Sequence, residues 1–360
     1  MILLGYLLVF VPLTVFLAFL PSYKGLRPLA PVCSGFIICL VFGVLILRDP
    51  NAPADSINYS VMFDSLNGFK SVFDVYHKNY TYSFIQYVFK SMGLSFESFS
   101  ILFSILCFSL SAVGLRLIFS DSRQFTSALA FFVLTSTFVL LYTNVVRQGL
   151  ALGFTLILIG CLLRRCYILS FFIAVLAVFS HFSALIFCLA IIFSLLFPSS
   201  KKRYLLLVLL VPILPVVGSF ALSVFSSIGG LFSKIDSFAA KDYSNTLVYI
   251  KVAMLYGIVL FIGISGLRAS DSENNRTFKF LSDIYLYLTS VVFLTLPILL
   301  LSSRFLYYAG ALLPVLFVHV FFSWKAFNIN IKAVLAAVFC FVFGYFVYFY
   351  KSTGMQLGLY

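Results

Sequence analysis

Residues 168–197 read ILSFFIAVLAVFSHFSALIFCLAIIFSLLF, thirty residues with no Asp, Glu, Lys or Arg among them. Coiled as one helix they would measure roughly 45 Å, well beyond the ~30 Å hydrocarbon core of a bilayer. The stretch is interrupted by Ser180-His181-Phe182-Ser183. Serine hydroxyls compete with the helix for backbone hydrogen bonds and favour its ends. The stretch is therefore read as two short segments meeting near His181, with a single bent span as the alternative. A run this long and apolar belongs in lipid.

The rest of the chain has the same character. Of its 360 residues 62% are hydrophobic and only 10% charged, against roughly half and a quarter in a soluble domain. That excludes a water-soluble enzyme, a disordered chain and a nucleic-acid-binding domain. Further apolar runs of spanning length cover 2–20, 32–47, 100–119, 125–143, 149–163, 204–222, 249–267, 281–301, 305–322 and 333–350. The fold class is an all-α polytopic membrane protein, one integral membrane domain over 1–360 with about 11–12 transmembrane helices. Met1–Leu20 lacks a basic start and a small-residue cleavage site, so it reads as a first span and not a removed signal.

The net charge is +13. The basic residues lie singly or in twos and threes between apolar runs, the pattern of cytoplasmic anchors and not of a nucleic-acid face. With both termini outside, 14 of the 24 Lys and Arg fall inside, among them Arg164-Arg165 and Lys201-Lys202-Arg203 in short loops. Two longer loops, 48–99 and 223–248, then face outward. In the first, Phe63, Leu66, Phe69, Phe73 and Tyr76 recur at helical spacing, and so do Phe84, Val88 and Met92. This predicts short amphipathic helices on the outer leaflet. The seven cysteines (Cys33, Cys39, Cys107, Cys161, Cys166, Cys188 and Cys340) form no CxxC and read as small apolar residues.

Four polar groups fall at the outer ends of apolar segments in this topology. They are Arg48-Asp49 with Asp55 and Tyr59, then Asn144 to Gly149 with Arg147-Gln148, then His181 with Ser183, and Ser302-Ser303-Arg304. Each has a bland reading: Arg48 as an interfacial anchor, Arg147 and Arg304 snorkelling to headgroups, His181 as a packing residue. Arg147 carries the strongest signal, because a charge at the centre of a spanning helix costs ~2.5–3.5 kcal/mol. No Gly-rich phosphate loop, HExxH or GxSxG is present. No outward acidic cluster demands a metal, so neither metal nor cofactor is expected. Activity only with an added divalent cation would contradict this.

The order of these pieces resembles the bacterial O-antigen and exopolysaccharide polymerase family of the Wzy/EpsG type. The resemblance is carried by Arg48 with Asp55-Ser56-Ile57-Asn58-Tyr59, by Arg147-Gln148-Gly149-Leu150-Ala151, and by His181-Phe182-Ser183-Ala184-Leu185-Ile186 after Arg164-Arg165. It covers roughly residues 1–200. Pro53-Ala54 stands where the family often has a Gly, and Lys78-Asn79-Tyr80 where many members carry an acidic residue.

The resemblance implies a GT-C-like fold in the bacterial inner membrane with a periplasmic site. It implies transfer of a glycan from undecaprenyl pyrophosphate onto an incoming lipid-linked repeat unit, with a chain-length regulator as an expected partner. The residues supply a matching chemistry. Arg147 and Arg304, with Arg48 in reserve, would clamp the departing pyrophosphate, since guanidinium stays charged and binds bidentately. His181 or Asp55 would take the acceptor's proton, a contribution of typically 10²–10⁴ in rate; the sequence does not choose between them. Gln148, Ser183 and Tyr59 would support them. The competing readings are a lipid-linked oligosaccharide flippase or exporter, a membrane O-acyltransferase of surface sugars using a catalytic His, and a membrane scaffold.

Overall fold

The structure, a computed structural model, describes residues 9–23, 25–53, 55–74, 79–197, 205–206, 209–227 and 273–323. The expected spans at 249–267 and 333–350, and the outer loop 223–248 beyond Ser227, lie outside the described residues. Every regular element among the described residues is helical. Five helices are long and apolar enough to cross a membrane, within 27–47, 96–118, 146–163, 276–294 and 301–322. A sixth crossing is counted if a sharply bent pair is one span. The protein is an all-α polytopic membrane protein, as its sequence predicts.

The chain divides into two compact units, Met1–Leu185 with Phe321–Tyr360, and Ile186–Val320. The first contains α1 Val11–Phe19, α2 Ala30–Leu47, α3 Ser56–Asp64, α4 Tyr80–Ser91, α5 Phe96–Ile118, α6 Ser122–Val133, α7 Ser136–Thr143, α8 Val146–Leu163 and α9 Tyr167–Ser180. Its first segment ends two residues into α10, Ala184–Leu196. The second unit contains the rest of α10, then α11 Leu214–Ser227, α12 Glu273–Leu294 and most of α13 Leu299–Ser323.

The spine of the first unit is α5 beside α8, running in the same direction. Their closeness depends on glycine. Gly153 lies against Leu110, Gly114 against Leu156 and Ile157, and Gly160 against Leu117. Small residues let two helix backbones approach where lipid offers no hydrophobic gain for association. From α8 the chain turns back into α9 through Arg165, which adopts a left-handed φ of 60°. There the Cys166 N–H donates to the Cys161 carbonyl at 2.9 Å and closes the helix end. On the far side, α6 is tied to its neighbours by hydroxyls: Thr126 donates to the Ala30 carbonyl at 2.9 Å and Ser127 to the Ala18 carbonyl at 3.0 Å.

Two expected features take a different form. The run 125–143 is not one straight span, because α6 and α7 meet at 72°. The cause is Thr135, whose Oγ1 accepts the Phe138 N–H at 3.1 Å and so starts a new helix inside an apolar run. The aromatic stripe from Phe63 onward is not one helix either. It breaks after Asp64, and among the described residues one further turn follows at Ser71–Asp74; Tyr76 lies outside them. Phe63 and Leu66 go into the core, while Phe69 and Phe73 stay exposed. In α4 the split is the one expected of an amphipathic helix, with Tyr82 and Gln86 buried and Phe84 and Met92 outward. The run 168–197 is divided as its polar interruption predicts: α9 has 14 residues, α10 has 13, and residues 181–183 lie between them.

Candidate functional site: a convergence of helix ends around Arg147

Four basic side chains of the first unit bind the carboxyl ends of helices. Arg48 is 2% exposed. Its Nη1 donates to the Tyr142 and Thr143 carbonyls, both at 3.2 Å, at the end of α7. Its Nη2 donates to the Ser100 carbonyl and to the hydroxyls of Ser100 and Ser104 on α5, at 2.9–3.0 Å. Lys90 caps α3 through the Phe63 and Asp64 carbonyls, at 2.9 and 2.6 Å. Arg116 reaches the Phe119 and Ser120 carbonyls, and Arg164 those of Leu117 and Arg116. Such placement is favourable, since helix carboxyl ends carry a partial negative charge.

Arg147 is the reverse case. It lies in the first turn of α8, where the backbone N–H groups and the macrodipole present positive charge. No acidic residue occupies that turn. Two contacts help to hold the guanidinium there. Its central carbon lies 5.4 Å from the centroid of the Tyr59 ring, a cation–π arrangement. With the Asn79 amide turned to suit both neighbours, its oxygen accepts from Arg147 Nη1 at 3.1 Å and its nitrogen donates to the Ser180 carbonyl at 3.3 Å. These two neighbours, a donor and an acceptor, fix which way the amide faces. Asn79 thus joins the break before α8 to the end of α9.

A second polar chain starts one residue along. Gln148, fully buried, donates from Nε2 to Ser183 Oγ at 3.1 Å. That hydroxyl lies 2.6 Å from His181 Nδ1, and the Ser183 N–H donates to the same nitrogen at 3.3 Å. His181 and Ser183 occupy the break that precedes α10. Asp55, half-buried just before α3, donates its backbone N–H to the Asn144 side-chain oxygen at 3.1 Å. The amino ends of α3, α4, α8 and α10 therefore meet around Asp55, Asn79, Asn144, Arg147, His181 and Ser183.

Of the residues singled out in the sequence, Asp55, Tyr59, Arg147, Gln148, His181 and Ser183 belong to this cluster. Arg48 is adjacent, with its charge spent on α7 and α5. Arg304 is an exposed residue of α13 in the other unit. Asn79 is the member that sequence reasoning missed; it looks like an incidental Asn-Tyr-Thr sequon, and the only signal was its place just before the amphipathic α4. The hollow beneath the cluster, lined by Tyr59, Tyr82, Phe99, Phe103 and Thr143, has room for about 10 Å³, barely one water.

Fold and site together define a multi-pass membrane protein with a cationic polar centre at interrupted helices. The chain belongs to the EpsG family, whose model matches residues 32–360. Neither a curated protein nor a solved structure matches it. Membership in the family suggests a polysaccharide polymerase with glycosyltransferase-like activity.

Proposed function

We propose that the protein polymerises a surface polysaccharide at the periplasmic face of the bacterial inner membrane. It would transfer a glycan from undecaprenyl pyrophosphate to a sugar hydroxyl of an incoming lipid-linked repeat unit. The observation that carries this reading is Arg147, a cation at the amino end of α8. A guanidinium beside the amino end of a helix can join the backbone N–H groups in binding an anion. Broken membrane helices whose amino ends converge are also a recurrent way of holding an anionic substrate group in the bilayer.

In the reaction, the hydroxyl oxygen attacks the anomeric carbon while the bond from that carbon to the phosphate oxygen breaks. Charge then collects on the departing pyrophosphate. Arg147 and the N–H groups at the start of α8 are preorganised for that charge, and one such donor is worth typically 10²–10³ in rate. Arg304 remains a candidate second cation.

The test is surface polysaccharide from cells lacking the gene, resolved by length on a gel. A single repeat unit on its acceptor, with the ladder gone, is the expected result. Bare acceptor with lipid-linked units held on the cytoplasmic face would mean a flippase instead, and an unchanged ladder with altered acylation would mean an acyltransferase.

A further inference from the structure

One hydrogen bond at His181 has a fixed direction. A backbone N–H can only donate, and that of Ser183 points at His181 Nδ1 from 3.3 Å. The Gln148 amide nitrogen donates to Ser183 Oγ and helps to place that residue, whose hydroxyl lies 2.6 Å from Nδ1. Nδ1 is thus the acceptor of the Ser183 N–H. The extended backbone of His181 (φ −160°, ψ 126°), which ends α9, brings the ring back over the Ser183 N–H. A proton on Nδ1 would face that N–H head on.

We infer that the neutral His181 ring carries its proton on Nε2 and meets the leaving pyrophosphate as a hydrogen-bond donor, with Ser183 and Gln148 as positioning residues that hold this tautomer. The pyrophosphate rests on the polymerase reading; the tautomer does not. This decides between the two proton acceptors that the sequence leaves open. For His181 Nε2 to act as a base, the ring proton would have to sit on Nδ1, against the Ser183 N–H. The acceptor's proton passes to a carboxylate instead, and Asp55 supplies one at the neighbouring break. The balance is simple. The hydroxyl oxygen bonds to the anomeric carbon, the carbon–oxygen bond to phosphate breaks with its electron pair leaving on the pyrophosphate, and the hydroxyl proton goes to Asp55. His181 keeps its proton throughout. A neutral imidazole serving as an electrophile has a well-understood parallel in triosephosphate isomerase.

Two measurements test this on the full chain in nanodiscs. With histidine labelled with nitrogen-15, the His181 ring is assigned by elimination using His77→Gln and His319→Gln. At neutral pH, Nδ1 should resonate as a bare acceptor and Nε2 as an N–H; a proton on Nδ1 overturns the inference. Polymer formation from lipid-linked units is then compared in His181→Gln, whose amide can donate but cannot act as a base, and His181→Ala. Alanine should cost about 10²–10³-fold, and glutamine should stay at least tenfold above it. Equal loss in both overturns the donor role. If the wild type forms no polymer from such units, the polymerase reading fails, and the nitrogen spectrum still decides the tautomer.

Discussion

Arg48 and Arg147 have the same side chain and opposite settings, and their substitutions should separate stability from activity. Arg48→Ala strands the Tyr142 and Thr143 carbonyls of α7 in a buried place and frees α5 from α7. Buried groups left unsatisfied cost about 1–3 kcal/mol each, so we expect a markedly lower melting temperature in detergent and little folded protein. Arg147→Ala removes a cation from the positive end of α8, so the fold should survive while polymer formation drops by about 10²–10³-fold. Arg147→Lys should recover little, because an ammonium lacks the planar fork. Wild-type polymer in both Arg147 variants would remove it from the site. Asn79→Ala tests the hold on Arg147. It leaves the guanidinium charged but loosely aimed, and we expect turnover to fall while the protein melts within a few degrees of wild type; unaltered turnover would make Asn79 a helix-end residue only.

At the scale of elements, a close constraint in the first unit is the parallel pair α5 and α8. A Cβ on Gly114 would stand 2.5 Å from the Leu156 Cβ and 2.8 Å from the Ile157 backbone nitrogen. Backbone cannot swing aside as a side-chain tip can, so even Gly114→Ala must push the helices apart. Overpacking of this kind costs typically 1–3 kcal/mol, and the melting temperature should fall accordingly. Gly43, on α2, has nothing within 4 Å of its Cβ position, so Gly43→Ala is the control and should not destabilise. Equal melting of the two alanine variants would mean that α5 and α8 do not touch as described. The broken helices also make the site: the ends of α7 and α9, and the starts of α8 and α10, supply the oriented backbone groups that an unbroken span would consume internally.

For the whole molecule, what was readable in the chain is what depends on neighbours in sequence. The break at His181 is announced by two serines in an apolar run, and Arg147 by its cost in lipid. What depends on partners far along the chain was hidden. The carbonyls that hold Arg48 lie 94 and 95 residues away, so a guanidinium bound to helix ends read only as a reserve phosphate ligand. Asn79 meets Arg147 only after the outer loop folds back, and Thr135 caps α7 from within a stretch whose hydropathy is that of a plain span. Orientation is the property on which the proposed site most depends. The α5–α8 pair carries Arg116, Arg164 and Arg165 at one end, and at the other Arg147, with Arg48 bound to the first turns of α5. On the proposed reading, the excess of positive charge in short loops would put the first end in the cytoplasm. Cys166 is an exposed thiol beside Arg165. In a variant that keeps it as the sole cysteine, a membrane-impermeant maleimide should label inverted vesicles and spare intact spheroplasts. Labelling from the outside would turn the molecule over, place Arg147 and His181 in the cytoplasm, and leave a polymerase that meets periplasmic lipid-linked sugars with its site on the wrong face.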